Sequence, residues 1–210
     1  MEQRYSSIED LKKRARVDGG RPESYANKIK IVFIDRDGVV NKYPGDGQYI
    51  TNHRDFQFIP GSVQGIKKLN DKNFKVFIIS NQAGVSKGLY TLKDLQQIDK
   101  KLLNELRKNK AKVDGVYYCT HLHEDSCECR KPKPGLMHKA LAEHNLKADM
   151  SFFIGDAFID MHTAKAFGAK TVLVLSGREK VSNRSNWDFE PDYIFDNLLI
   201  AAHYLCAHYG

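Results

Sequence analysis

The chain has 210 residues, 41% of them hydrophobic and 28% charged, and 33 Lys and Arg against 26 Asp and Glu give a net charge of +7. These figures fit one globular domain with a short extension and exclude a disordered or low-complexity chain. No apolar stretch approaches the ~20 residues of a membrane-crossing helix, and Met1-Glu2-Gln3-Arg4 opens without the apolar core of a secretory signal, so a cytoplasmic protein is expected.

Residues 1–29 read as an N-terminal extension. Ser7 is placed to cap a short helix, with Asp10 three residues on as the return partner. Gly19-Gly20-Arg21-Pro22 then breaks it. Residues 1–30 hold +3 of the charge, and the rest is spread thinly. No run of five or more Lys and Arg occurs, and no aromatic residues interleave with basic ones, so a nucleic-acid partner is not expected.

From residue 30 to 210 the pattern is that of a single domain. Ile31-Val32-Phe33-Ile34 is a continuous apolar run of the kind a buried parallel strand needs. Residues 61–71 then place Val63, Ile66 and Leu69 at helical spacing. Lys75-Val76-Phe77-Ile78-Ile79 predicts a second strand. Thr91 should cap a helix over 91–108, with Leu92, Leu95, Ile98, Leu102 and Leu103 on one face. A third strand is expected over 113–118. A helix opened by Pro134 follows, carrying Leu136, Ala140 and Leu141. Residues 151–154 and 171–175 predict the fourth and fifth strands, and 193–195 a short edge strand. Asp196 is the expected cap of the last helix. Strands alternating with helices indicate an α/β fold, Rossmann-like, with a mainly parallel sheet between helical layers. Such sheets bind ligands at the carboxyl ends of their strands.

The loops at those ends carry the chemistry. Asp35-Arg36-Asp37-Gly38 follows the first strand, Ser80-Asn81-Gln82 ends the second, and Gly155-Asp156 with Asp160 follows the fourth. Arg130-Lys131-Pro132-Lys133-Pro134 lies between the third and fourth. Three carboxylates converging at strand ends repel one another, and a divalent cation relieves that cost; Mg²⁺ favours carboxylate together with substrate phosphate. The neighbouring hydroxyl, amide, Lys and Arg supply donors for phosphate.

Cys119, His121, Cys127 and Cys129 form C-x-H-x₅-C-x-C in a chain with only four cysteines. Three thiolates and an imidazole suit tetrahedral Zn²⁺, and four protein ligands leave no position open for catalysis. His123 is a rival imidazole on spacing alone. The fourth thiol, Cys206, falls in the last apolar helix and is expected to be a small buried hydrophobe.

Taken in order, Asp35-Arg36-Asp37-Gly38, Ser80-Asn81-Gln82, Lys131-Pro132 and Gly155-Asp156 with Asp160 resemble the four motifs of the haloacid dehalogenase phosphatases. The resemblance spans about residues 30–200. Within that family the chain looks like the heptose 1,7-bisphosphate phosphatases and the related histidinol-phosphate phosphatases, both of which carry a zinc loop. It implies a minimal cap, Asp35 as nucleophile, and Asp37 as acid and then base. It also implies Mg²⁺ on the Asp35 carboxylate, the Asp37 main-chain carbonyl and Asp156, with Ser80 and Lys131 neutralising the transferred phosphoryl group. Asn81, Gln82 and Arg130 would contact substrate, and Asp160 would support the metal ligands. Family matching favours His121 over His123 as the zinc ligand and makes the zinc structural.

The favoured substrate is D-glycero-D-manno-heptose 1,7-bisphosphate, hydrolysed at C7 on the way to a nucleotide-activated heptose. Histidinol phosphate is the alternative, and a non-catalytic polyanion-binding scaffold is the alternative from another class. A small phosphorylated sugar is therefore the expected partner, with no membrane partner and a monomeric state. One departure stands out. The family usually has Lys or Arg directly after the fourth-motif Asp, where this chain has Ala157. Lys87 and Lys133 are the candidates to replace that charge.

Overall fold

The computed structural model describes residues 28–210, so the Ser7 cap and the breaker after it lie outside the described residues. Six strands form one sheet: β1 (Lys30–Ile34), β2 (Lys75–Asn81), β3 (Gly115–Cys119), β4 (Met150–Gly155), β5 (Lys170–Val174) and β6 (Tyr193–Phe195). They are ordered β3-β2-β1-β4-β5-β6, and every pairing is parallel. Among the described residues four helices connect the strands and a fifth follows β6: α1 (Ser62–Asp71), α2 (Leu92–Lys108), α3 (Gly135–Glu143), α4 (Phe158–Phe167) and α5 (Leu198–Tyr209). A 3₁₀ turn (Val181–Asn186) lies between β5 and β6.

Side-chain alternation along the strands splits the core in two. Val32, Ile34, Val76, Ile78, Phe152 and Ile154 face one side, against α1, α2 and α5. Ile31, Phe33, Phe77, Ile79 and Phe153 face the other, against α3 and α4. Both faces are covered, which is why the central strands read as unbroken apolar runs rather than alternating ones. The three-layer α/β/α arrangement expected from the sequence is the one observed.

Local signals set most of the helix boundaries. Thr91 Oγ1 accepts from Asp94 N, and the Asp94 carboxylate accepts from Thr91 N, closing a capping box at the start of α2. Pro134 occupies the position immediately before α3. The last cap differs from expectation: Asn197, not Asp196, accepts from Ile200 N. The third strand begins at Gly115 rather than at residue 113. Asp114 is drawn off to the β2 entrance, where its carboxylate accepts from Val76 N and pairs with Lys75. Cys206 is buried in α5, as expected. Among the described residues no helix is long and apolar enough to cross a membrane.

The chain leaves β1 toward β2 and β3 on one side, and later fills β4, β5 and β6 on the other. The switch point therefore falls between β1 and β4, where such sheets open a crevice at their carboxyl ends.

Candidate active site

The β1–β4 ladder runs one rung past the strand, with Asp35 N donating to Ile154 O at 3.0 Å. This pins Asp35 beside Gly155 and Asp156 across the switch point. The chain then turns tightly, with Val40 N on Arg36 O and Gly38 N on Asn41 O. Gly38 sits at φ 83, and a Cβ there would run into the Asp156 carboxylate. The turn therefore requires glycine for both its conformation and its closeness to Asp156.

Asp35, Asp156 and Asp160 bring carboxylate oxygens within 4.8 Å of one another. Asp156 and Asp160 are buried and Asp35 nearly so. Burial first, then the carboxylates of Asp35 and Asp160, push the Asp156 acid well above its usual range. Burial likewise pushes Asp160 up to about 6, against the pull of Lys131. Lys131 is itself buried, with Nζ 2.6 Å from Asp160 Oδ1 and 3.0 Å from Asp35 Oδ1. Burial works against its charge, but the two carboxylates outweigh it and hold the ammonium above the usual lysine range.

The Lys131–Asp35 contact is an ion pair by distance but lies off the hydrogen-bonding direction, and Asp35 Oδ1 has no hydrogen-bond donor. One lysine against three carboxylates, with one buried oxygen left without a donor, is a site with negative charge to spare. The donor set is all oxygen, which suits Mg²⁺. Asp160 is the carboxylate least available to a cation, because Lys131 Nζ and Ala157 N occupy its two oxygens.

Asp37 sits at the edge of the cleft. Its carboxylate accepts from Arg36 Nε and Nη2, Asn41 Nδ2 and Gln82 Nε2, all between 2.9 and 3.2 Å. Arg36 is fully buried, with its guanidinium 5.4 Å from the centre of the Tyr118 ring. Burial opposes its charge, and Asp37 with Tyr118 more than offsets this, so the guanidinium is held above its ordinary range. The alternating sequence gave no sign of this arginine's inward course; only its place between two aspartates marked it.

Of the three residues expected to touch substrate, Asn81 and Arg130 border the cleft and Gln82 does not. Gln82 is buried, accepts from Arg36 and Tyr90, and donates to Asp37 and Ser80. Its amide nitrogen serves Asp37 and Ser80 and its amide oxygen serves Arg36 and Tyr90, so all four bonds stay inside the protein. Asn81 borders the cleft, but it donates to Lys131 O and accepts from Lys131 N, tying that backbone to β2. Ser80 and Arg130 border the same cleft, of about 340 Å³, together with Asp35, Asp37, Lys131 and Asp156.

Neither candidate for the charge missing at Ala157 borders this cleft. Lys87 lies 5.5 Å from the centre of the Tyr49 ring. Lys133 pairs with Glu128 and donates to Ser126 O on the cysteine loop. Among the described residues, the cations bordering it are Arg130, Lys131 and Arg178, the last on the loop after β5 and not singled out from the sequence.

The cysteine loop leaves β3 at Cys119. Its four donor atoms lie close together: Cys119 Sγ is 3.6 Å from Cys127 Sγ and 3.7 Å from His121 Nδ1, Cys129 Sγ is 3.4 Å from Cys127 Sγ, and His121 Nδ1 is 3.1 Å from Cys129 Sγ. Metal–ligand bonds of ~2.0–2.3 Å in a tetrahedron put ligand atoms at about these separations, so the set fits zinc. Burial and the neighbouring thiols push Cys129 up to about 12, a cost that a bound cation removes. His121 is the imidazole in this cluster, and His123 is outside it. Arg130 follows the last thiol and donates to His121 O, so the loop and the cleft share a wall.

A parallel α/β sheet with clustered aspartates and a buried lysine at its switch point is the architecture of haloacid-dehalogenase-like hydrolases. A family model described as HAD-hydrolase-like matches residues 128–201. The chain is 40% identical over 136 residues to D-glycero-beta-D-manno-heptose-1,7-bisphosphate 7-phosphatase of Helicobacter pylori, covering 64% of this chain and 77% of that one. It is 35% identical over 153 residues to the alpha-heptose enzyme of Campylobacter jejuni, covering 73% and 86%. The crystal structure of D,D-heptose 1,7-bisphosphate phosphatase from B. bronchiseptica, complexed with magnesium and phosphate, superposes with a TM-score of 0.78 at 27% identity, over 84% of this chain and 98% of that one. The chain belongs to the haloacid-dehalogenase-like hydrolases, among the heptose 1,7-bisphosphate 7-phosphatases.

Proposed function

We propose that the protein hydrolyses the C7 phosphate of D-glycero-D-manno-heptose 1,7-bisphosphate through a phosphorylated aspartate. The observation that carries this reading is the set of relatives of that name at 35–40% identity, taken with a cleft bordered by Asp35, Asp37, Ser80, Lys131 and Asp156.

Asp35 is the nucleophile. Its carboxylate attacks phosphorus and displaces the C7 alkoxide, which divides one hard hydrolysis into two easier steps. Asp37 gives its proton to the departing oxygen, then takes one from the water that cleaves the aspartyl phosphate. Arg36, Asn41 and Gln82 keep the Asp37 carboxyl at the cleft edge through both steps. Ser80 and Lys131 donate to the phosphoryl oxygens, where charge is greatest in the transition state. Asn81 fixes the Lys131 backbone, and Asp160 steadies its ammonium. Arg130 reads the sugar side.

Mg²⁺ would be held by the Asp35 carboxylate, the Asp37 main-chain carbonyl and Asp156, and when bound it supplies positive charge that draws the phosphoryl oxygens toward Asp35. Zinc would be held by Cys119, His121, Cys127 and Cys129 and has a structural role, presenting Arg130 and Lys131 to the cleft. Residues 30–210 form the catalytic domain, working as a monomer in the cytoplasm, and residues 1–29 are an appended segment.

Steady-state rates on heptose 1,7-bisphosphate and histidinol phosphate, measured side by side with Mg²⁺, test the reading. A higher kcat/KM on the heptose supports it. A clear preference for histidinol phosphate overturns the substrate, and no phosphate release from either overturns the activity.

A further inference from the structure

The loop after β5 wraps closely around Asp156. Arg178 N donates to Asp156 Oδ2 at 2.7 Å, Glu179 N donates to Asp156 O, and a Cβ on Gly177 would strike the Asp156 carboxylate. Ser176 Oγ closes the other side by donating to Gly38 O at 2.7 Å. The backbone of residue 178 is therefore fixed beside Asp156 and Ala157, where relatives are expected to carry a cation in the next position of the chain.

Its side chain is not committed in the same way. Arg178 Nε lies 3.0 Å from Asp46 Oδ1, on the long loop after β1, and both side chains are more than half exposed. Asp46 also accepts from Tyr43 OH, so it keeps a partner if the arginine leaves. An exposed pair of this kind is worth ~0–1 kcal/mol and is readily exchanged for a stronger anion. A phosphate dianion offers a guanidinium two oxygens in its own plane and is a better partner than one carboxylate oxygen.

Of the three cations bordering the cleft, Arg130 is turned to the cysteine loop, donating to His121 O, and the other two divide accordingly. Lys131 is locked against Asp35 and Asp160, at the reacting phosphoryl group. Arg178 stands on the rim and is exposed. A substrate with one phosphate uses the first; a substrate with two needs a second.

We propose that Arg178 binds the phosphate that is not hydrolysed, in place of the cation missing at Ala157, with Asp46 holding the guanidinium when substrate is absent. The inference rests on the heptose bisphosphate reading and deepens it. It makes Arg178 a specificity residue that distinguishes a bisphosphate from a monophosphate and does not take part in bond breaking.

The experiment compares wild type, Arg178→Ala and Arg178→Lys on heptose 1,7-bisphosphate and on p-nitrophenyl phosphate. Loss of one charge-assisted contact should raise KM for the bisphosphate about tenfold or more in Arg178→Ala, with kcat changed by less than about threefold. The monophosphate should lose far less, so the ratio of the two kcat/KM values collapses. Arg178→Lys keeps the charge and should recover most of that ratio. An equal loss on both substrates, no change on the bisphosphate, or a Lys variant as impaired as the Ala variant would each overturn the assignment. If wild type itself fails to turn over the bisphosphate, the substrate reading falls first; if wild type works and Arg178→Ala matches it, only the role of Arg178 falls.

Discussion

Replacing Lys131 with methionine keeps the length and volume of the side chain and deletes only its charge. The ammonium is 2.6 Å from Asp160 and 3.0 Å from Asp35, and it also donates to Ile79 O. The lysine side chain is 3% exposed and that of Asp160 is 0% exposed, so Asp160 cannot recover the lost partner from water. Removing one member of a buried pair costs roughly 3–5 kcal/mol, mostly the penalty of the charge left behind. In a domain of this size each kcal/mol shifts Tm by ~2–4 °C, so Lys131→Met should melt on the order of 10 °C below wild type in metal-free buffer. The same change removes a donor to the phosphoryl group and should lower kcat about 10²–10³-fold. Adding Asp160→Asn neutralises the stranded acid and should restore much of the stability with none of the activity. Scanning calorimetry and steady-state kinetics on the three proteins check this. A Lys131→Met protein that melts within about 2 °C of wild type would refute the electrostatic reasoning, and one with normal kcat would refute the role at the phosphoryl group.

Two further outcomes are expected. Elemental analysis should find about one zinc per chain, and Cys129→Ser should lose it together with most activity while the circular dichroism of the sheet and helices is kept; full activity without zinc would remove the loop from the account. Mg²⁺ affinity should rise with pH. Burial and mutual repulsion raise Asp156 and Asp160, the latter to about 6, above their unfolded range near ~4. In metal-free protein both groups stabilise the fold most when protonated, and the contribution of Asp160 fades as pH climbs through about 6. Mg²⁺ binds the ionised cluster, so it should raise Tm more at about pH 7.5 than at about pH 5. An equal shift at both pH values would contradict the assigned cluster.

Much of the fold was readable because the central strands are buried on both faces and therefore appear as short, uninterrupted apolar runs. Five of the six strands carry that signal; over 113–118 Asp114 and Gly115 interrupt it, and the strand begins only at Gly115. Helix α4 was missed because Phe158, Ile159, Met161, Ala164, Ala166 and Phe167 put apolar residues around most of its circumference, so no single stripe marks a buried face. The Asp196 cap was misassigned by one residue because Asp and Asn serve equally well at that position, and only geometry selects Asn197.

At the site, residues next to strand ends were legible because a strand end fixes direction, and Asp35, Ser80 and Asp156 all sit there. Arg178, which reaches the cleft from the loop after β5, was not. Arg178 follows β5 without any motif, and its approach is set by the glycine that lets the loop close on Asp156. Lys87 and Lys133 looked equally suitable on charge, but neighbours hold them elsewhere. Gln82 looked like a ligand contact because it is polar and adjacent to Ser80. Its burial turns it inward, where four hydrogen bonds join it to Arg36, Asp37, Ser80 and Tyr90.

The central claim is that Asp35 carries the phosphoryl group. Asp35→Asn preserves shape and removes the nucleophile, so kcat on heptose 1,7-bisphosphate measured for that variant is the most direct test. The account requires turnover to vanish in a protein that still folds and melts cooperatively. Turnover comparable to wild type in Asp35→Asn would contradict it.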